Sequence, residues 1–268
     1  MRQKVAFIGS GHIAEILISR LLESGFAESS SIVVSEPDVS RRAELKLKYG
    51  ISDVKDNADA ARSSDIVFIC VRPHVVPAVI SDLKSLNMDK KILISVAAGV
   101  PLSFYEDHLG NIKAVRMLPN PPSRVGEGAV PVTFNGNVTK EEKTDVLALI
   151  STLGKCFSVS EDKIDIFTSL TSPAPVLSYF ESMIDSSVLC GLDYKTSVEM
   201  VFQTIKGCLK MWEESGADIN ELITQACTPA GTSAESLRVM DRMCFRSAVK
   251  ESYYAAWQKS CNLGNWDL

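Results

Sequence analysis

The sequence predicts an α/β fold, a doubly wound sheet, followed by an all-helical domain. Three observations lead there. Short apolar runs alternate with amphipathic helical stretches as far as residue 160. A glycine pair, Gly9 and Gly11, separates the first such run from the first helix. Beyond Glu161 the strand signals stop and long helical patterns take over. A chain of 268 residues accommodates two domains, and the boundary is expected near residue 160, giving 1–160 and 161–268.

The run Val5-Ala6-Phe7-Ile8 has no polar residue, as in a strand buried on both faces. Apolar residues then recur at Ile13, Ile16, Leu17, Leu21 and Leu22, a helical spacing. Residues 31–35 (SIVVS) read as a second strand, and 38–49 as a charged helix stopped by Gly50. Further strands are expected at 65–71, 91–99, 112–120 and 128–134, the third of these after a short helix. A helix over 139–152 and a strand near 154–159 close the sheet domain. In the second half, Pro173 and Pro175 open the first of three helices, expected near 173–190, 194–215 and 234–261. Residues 227–233 (CTPAGTS) form a loop between helices. Met183, Ile184, Val198, Val201, Ile205 and Leu209 give these helices more apolar surface than one small domain covers, so a helix-exchanging homodimer or higher homo-oligomer is expected.

Composition narrows the classes of partner. A formal charge of −5 gives no support for a nucleic-acid or anionic-membrane role. No leader of the secretory kind opens the sequence and no apolar run is long enough to span a bilayer. Seven scattered cysteines without a CxxC pair read as reduced thiols in the cytoplasm. The three histidines lack metal-ligand spacing, so no metal is expected, and no GxSxG motif is present.

The chemistry concentrates at the strand ends, where open α/β sheets bind ligands. Gly9-Ser10-Gly11-His12-Ile13-Ala14 has the GxGxxA form of a Rossmann dinucleotide site. In that form the first glycine makes the turn and the second lets a pyrophosphate approach the backbone. Ala14 lets the helix pack on the sheet, and the helix N-terminus favours the phosphate charge. After the second strand, neutral Ser35 with Arg41 and Arg42 suits a ribose 2′-phosphate, whereas Glu36 would repel one. NADPH is slightly favoured and NADH is possible; the plainer reading makes both arginines solvated helix residues. Val71, Arg72 and Pro73 follow another strand and would border the same cofactor. Ala97, in a run of small residues, would lie against a flat ring, although such runs also serve plain packing. Asn120, set among Pro119, Pro121 and Pro122, is a rigidly held amide and a candidate ligand contact. With no acid–base dyad in view, hydride transfer to an already activated acceptor such as an imine fits best.

Together these segments resemble the pyrroline-5-carboxylate reductase family over nearly the whole chain. The resemblance is carried by GSGHIA (9–14), VRPH (71–74), SVAAGV (95–100), RMLPNPPSRVGEG (116–128), QTIKGCLKM (203–211), TPAGTS (228–233) and FRSAV (245–249). It implies a Rossmann domain followed by a helical dimerisation domain of the 6-phosphogluconate dehydrogenase-like kind. It also implies reduction of the C=N bond of 1-pyrroline-5-carboxylate to proline. By position, the substrate carboxylate would be held by the loop of Thr228, Ala230, Gly231, Thr232 and Ser233, and the imine nitrogen by the Ser233 hydroxyl. Ser233 also precedes a helix, so the residue-level alternative is an N-cap. The family has a second glycine where Ala230 stands. Its SGSGPA segment is replaced by the shorter, glycine-free Leu170-Thr171-Ser172-Pro173-Ala174-Pro175, with Thr171 at the family's serine. These departures keep open a reductase of another cyclic imine, or a nucleotide-binding relative without turnover.

Overall fold

The computed structural model describes residues 3–263. The sheet begins with β1 (Val5–Ile8), α1 (His12–Glu23), β2 (Ile32–Ser35), α2 (Val39–Tyr49), β3 (Ser52–Val54) and α3 (Asn57–Arg62). It continues with β4 (Ile66–Ile69), α4 (Val76–Leu83), β5 (Ile92–Ser95), α5 (Leu102–Leu109), β6 (Lys113–Met117) and β7 (Gly128–Phe134). It closes with α6 (Lys140–Ile150), β8 (Gly154–Ser158) and α7 (Glu161–Leu170). The eight strands form one sheet in the order β3-β2-β1-β4-β5-β6-β7-β8. All neighbours are parallel except β6 and β7, where Val115 faces Phe134 and Met117 faces Val132. The order reverses at β1, which places the crevice between β2, β1 and β4 where a doubly wound sheet binds its ligand.

Each face of the sheet carries its own core. Along β1, Val5 and Phe7 enter one cluster with Leu17, Leu21, Phe68 and Ile94, while Ala6 and Ile8 enter the other with Ile69, Ile80, Leu83 and Leu93. This alternation explains the unbroken apolar run: each successive side chain meets a different layer of helices. Phe7 stacks on Phe68 across the β1–β4 pair at 4.8 Å between ring centres, and replacing such a buried ring by alanine costs about 3–5 kcal/mol. Local signals set the helix ends. Asp38 caps α2 by accepting from Ser40 N at 2.8 Å, and Gly50 ends it at φ 66°. Thr139 and Glu142 form a reciprocal capping box at α6.

The chain divides into two compact units: residues up to Thr171 together with those from Ala256 on, and Ser172–Ala255. Helix α7 therefore packs with the sheet, against β7. The second unit holds α8 (Pro173–Leu189), α9 (Tyr194–Ser215), α10 (Ile219–Gln225), α11 (Thr232–Arg242) and the start of α12 (Phe245–Leu263). The single helix expected over 234–261 is two helices, broken at Cys244, which adopts φ 55°. The short elements β3, α3, α4, α7 and α10 were not foreseen.

No residue of α8 is fully buried. Between α8 and α9 runs a groove of about 1060 Å³ lined by Leu177, Phe180, Ile184, Val198, Phe202 and Leu209. Phe202 is 68% exposed and Leu209 59%, so two of its largest apolar side chains lie open. An isolated soluble chain rarely leaves so much contiguous apolar surface uncovered. Light scattering at micromolar concentration will give a dimer or larger; an active monomer would contradict this assignment of the groove.

Candidate cofactor and substrate sites

The turn between β1 and α1 is fixed by an approach too close for a side chain. Gly9 has φ 86°, and a Cβ there would lie 2.7 Å from Val71 Cγ1 and 2.9 Å from the Cys70 carbonyl. Its N–H donates to the Ser35 carbonyl at 2.9 Å, joining the ends of β1 and β2. Gly11 is the N-cap of α1, in extended conformation and without a side-chain cap. A Cβ on Gly11 would meet no atom within 4 Å, so the space before the helix terminus is open. Ala14 is fully buried against the sheet, Ile13 is half-buried and His12 is exposed. A cavity of about 470 Å³ follows, lined by Gly9, Ser10, Gly11, Ser35, Glu36, Val71 and Arg72 among others. Pro73 begins the short 3-10 turn beside it. These residues fit a dinucleotide: an uncapped helix terminus offers N–H donors to a pyrophosphate, with room for it to approach.

The charged residues around this turn are arranged differently from their order in sequence. Arg41 reaches back to α1, donating Nε to the Ser10 carbonyl at 3.0 Å and pairing with Glu15 at 2.5 Å and Glu44 at 2.7 Å. Arg42 donates to the Glu36 carbonyl at 3.1 Å and lies 3.6 Å from Asp53. Both guanidinium groups thus bond to the protein, although Arg42 Nε is buried without a hydrogen-bond partner. Glu15 also accepts from Lys48 at 2.7 Å and Tyr49 at 3.0 Å, and so clamps α2 onto α1. The Arg41 and Lys48 hydrogen bonds lower its pKa to about 2. Ser35 turns its hydroxyl to Asn57 Oδ1 at 2.7 Å.

Further along the sheet edge, Ala97 is buried and its N–H donates to Ser95 Oγ at 3.2 Å. Ser95 Oγ in turn lies 2.6 Å from the hydroxyl of fully buried Tyr105, whose pKa is pushed up to about 12 by burial. The start of the run after β5 is therefore held by packing and hydrogen bonds. The Asn120 amide is rigid, as expected, but its partners are in the fold. Nδ2 donates to the Thr171 carbonyl at 3.0 Å, and Oδ1 accepts from Ala129 N at 3.0 Å. Its side chain ties the loop before β7 to the end of α7. Sequence reasoning missed the neighbouring network. Arg116, 3% exposed, meets Asp165 at 2.8 Å and Glu161 at 3.6 Å, while Glu161 accepts from Leu102 N at 2.7 Å. A lone arginine within the apolar strand pattern of β6 was the available signal.

Thr171, the C-cap of α7, donates its hydroxyl to the Phe167 carbonyl at 2.6 Å, leaving the oxygen as an acceptor only. In the second unit, the loop before α11 is tight. Gly231 N donates to the Thr228 carbonyl at 3.0 Å, and a Cβ on Gly231 would collide with Thr228 Oγ1. Ala230 adopts φ 57°, the conformation in which its methyl is awkward. Helix α11 starts at Thr232 with Gly231 as its N-cap and no side-chain cap. Ser233 is thus inside the first turn, not before it, which removes the N-cap alternative. Uncapped N–H groups at this terminus suit a carboxylate. Among the described residues no cluster of His, Cys, Asp or Glu could hold a metal. No described helix is long and apolar enough to cross a membrane, and all seven cysteines are free.

Comparison with known proteins gives two family matches. Residues 4–99 match the NADP oxidoreductase, coenzyme F420-dependent family, and residues 161–263 the pyrroline-5-carboxylate reductase dimerisation domain. The pyrroline-5-carboxylate reductase of Methanosarcina acetivorans is 33% identical, covering 98% of each chain. That of Escherichia coli is 33% identical over 97% of this chain and 98% of its own. The crystal structure of Plasmodium falciparum pyrroline carboxylate reductase with NADP bound superposes with a TM-score of 0.87, at 27% identity and 98% coverage of both chains.

The Glu15 clamp predicts an acid-sensitive fold. Its folded pKa near 2 lies below the ordinary value of 4.5, so its contribution is present above about pH 4.5 and disappears as pH falls through 2. Urea midpoints should fall over that window. Glu15→Gln should lower the midpoint at pH 7 and flatten the acid-dependent loss; a parallel wild-type and variant profile would contradict the clamp.

Proposed function

The chain belongs to the pyrroline-5-carboxylate reductase family, and from that membership we propose that it reduces 1-pyrroline-5-carboxylate to L-proline with NADPH, NADH also being accepted. The observation that carries this reading is the β1–α1 cavity, which has the form of a dinucleotide site in a chain similar to these reductases over 97–98% of its length. The relative crystallised with NADP bound supports the choice of cofactor. Free thiols support a cytoplasmic setting. Residues 161–268 are assigned to dimerisation and substrate binding, on the strength of the matched dimerisation domain.

When bound, the reduced nicotinamide supplies a hydride to the imine carbon, and the C=N π pair passes to the nitrogen. If that nitrogen is already protonated, no separate acid is needed at that moment. The chain's part is then placement. Gly9, Ser10, Gly11 and the first turn of α1, including His12, Ile13 and Ala14, hold the pyrophosphate. Ser35, Arg41, Arg42, Val71, Arg72 and Pro73 frame the adenosine side, and Ala97 frames the nicotinamide side, with Asn120 serving to fix the loop after β6. The N–H groups around Ala230, Gly231 and Thr232, with Thr228 beneath them, hold the carboxylate. Ser233 accepts the iminium N–H in a hydrogen bond, and Thr171, free only to accept, is the second hydroxyl for that role.

Growth of a proline-requiring strain expressing this chain tests the activity directly. Assays with piperideine carboxylates beside pyrroline-5-carboxylate test the second reading, a reductase of another cyclic imine, which rests on Ala230 standing where the family has glycine.

Two substitutions test the placement. Gly11→Leu puts a side chain into the open space before α1 and should abolish saturable NADPH binding without unfolding; unchanged affinity would sink the site. Ser233→Ala should keep cofactor affinity and lower turnover by roughly 10²-fold, by analogy with removing one oxyanion-hole donor. Ser233→Thr should retain turnover, and normal turnover in the alanine variant would transfer the role to Thr171 or Thr232.

A further inference from the structure

Glu36 lies one residue beyond β2, in the wall of the same cavity as Gly9, Ser10 and Gly11. Three donors hold its carboxylate in place. Oε2 accepts from Ser10 N at 3.0 Å and from Ser10 Oγ at 2.9 Å, and Oε1 accepts from Asp38 N at 3.2 Å. The group is therefore drawn back over the glycine turn. In a doubly wound sheet this corner, beside the turn and past the second strand, receives the adenosine ribose.

A carboxylate there has a definite preference. Ionised, it only accepts hydrogen bonds, so it suits a ribose that still carries both hydroxyls. A 2′-phosphate brings two negative charges and no donor to the same place. Cations could reverse that preference, but the two arginines of α2 are already engaged by the protein. Arg41 is neutralised by Glu15 and Glu44, with its Nε on the Ser10 carbonyl. Arg42 is held by the Glu36 carbonyl and faces Asp53, whose carboxylate also takes Lys46 at 3.1 Å. Arg72 lines the cavity and is exposed. For Arg41 to bind a 2′-phosphate, it must first leave a carboxylate, whereas Arg42 would have to turn from the Glu36 carbonyl. The charge balance expected from sequence order, two arginines against one glutamate, is thus shifted towards the glutamate.

We propose that Glu36 is the residue that reads the ribose 2′ position, holding the diol of NADH and opposing the 2′-phosphate of NADPH. The assignment rests on the dinucleotide reading of the site. NADH is then a working reductant beside NADPH, and Glu36 is what narrows the advantage of NADPH. Ser10 serves as its support, fixing the carboxylate through both N–H and hydroxyl.

The test is binding, measured on the whole purified chain by fluorescence titration with NADH and NADPH, without imine. Glu36→Gln keeps the size of the side chain and removes its charge. The ratio of dissociation constants, NADH over NADPH, should rise by about tenfold or more. Adenosine 2′,5′-diphosphate should bind tighter to the variant, while adenosine 5′-diphosphate should not. Equal weakening of all four ligands, with a lower melting temperature, would make Glu36 a support of the turn only and overturn the proposal. So would an unchanged ratio in a folded variant, or a wild type that binds NADPH a hundredfold tighter than NADH. Should no nucleotide bind the wild type, the dinucleotide reading falls and this assignment with it; nucleotide binding without imine turnover would count against the proposed reaction alone.

Discussion

The contact on which the sheet half depends is the one between Gly9 and the end of β4. With φ at 86° and the Cys70 carbonyl 2.9 Å from where a Cβ would stand, the β1–α1 turn is pressed against the neighbouring strand. That closeness directs α1 across the strand ends, leaves its first N–H groups facing open space, and brings Ser10 within reach of Glu36. It also lets Gly9 N close onto the Ser35 carbonyl, so the three strands that border the cavity are locked at one edge. Any side chain at Gly9 would open this edge and displace the anion-binding terminus with it.

A second constraint works further along the sheet. β7 runs back along β6 from the Asn120 loop, and β8 follows β7 in the same direction. Helix α7 then packs on β7 and ends at Thr171, whose carbonyl meets the Asn120 amide. Arg116, with Glu161 and Asp165, fastens the start of that helix. Removing one partner of a buried pair is costly because it strands a charge. Arg116 already keeps its Nε without a partner, so it has little slack for such a loss.

Much of this was legible in the sequence because local signals and tertiary packing agree. The GxGxxA turn, the Asp38 and Gly50 caps of α2 and the small residues after β5 stand where their chemistry requires them. What was missed had no local signature. β3 is three residues at the sheet edge, Ser52-Asp53-Val54, with neither an apolar run nor alternation to mark it. Cys244 breaks a helix in a conformation usually signalled by glycine or asparagine. Asn120 shows the limit of a rigidity argument: three prolines announce a fixed amide but not what it is fixed to. Arg41 and Arg42 show the same for charge, since their partners Glu15 and Asp53 lie on other elements. Helix α7 lies past the boundary expected near residue 160, yet packing joins it to the sheet, so the division falls after Thr171.

The division of the chain has a consequence for its manufacture. The first unit is assembled from residues up to Thr171 and from those beginning at Ala256, so its two pieces are separated by the entire second unit. A ribosome delivers the eight strands early, but the segment that completes their unit emerges last. Between the two pieces of that unit lie four helices and the start of a fifth. A fragment ending at Thr171 therefore lacks a piece that packs with it.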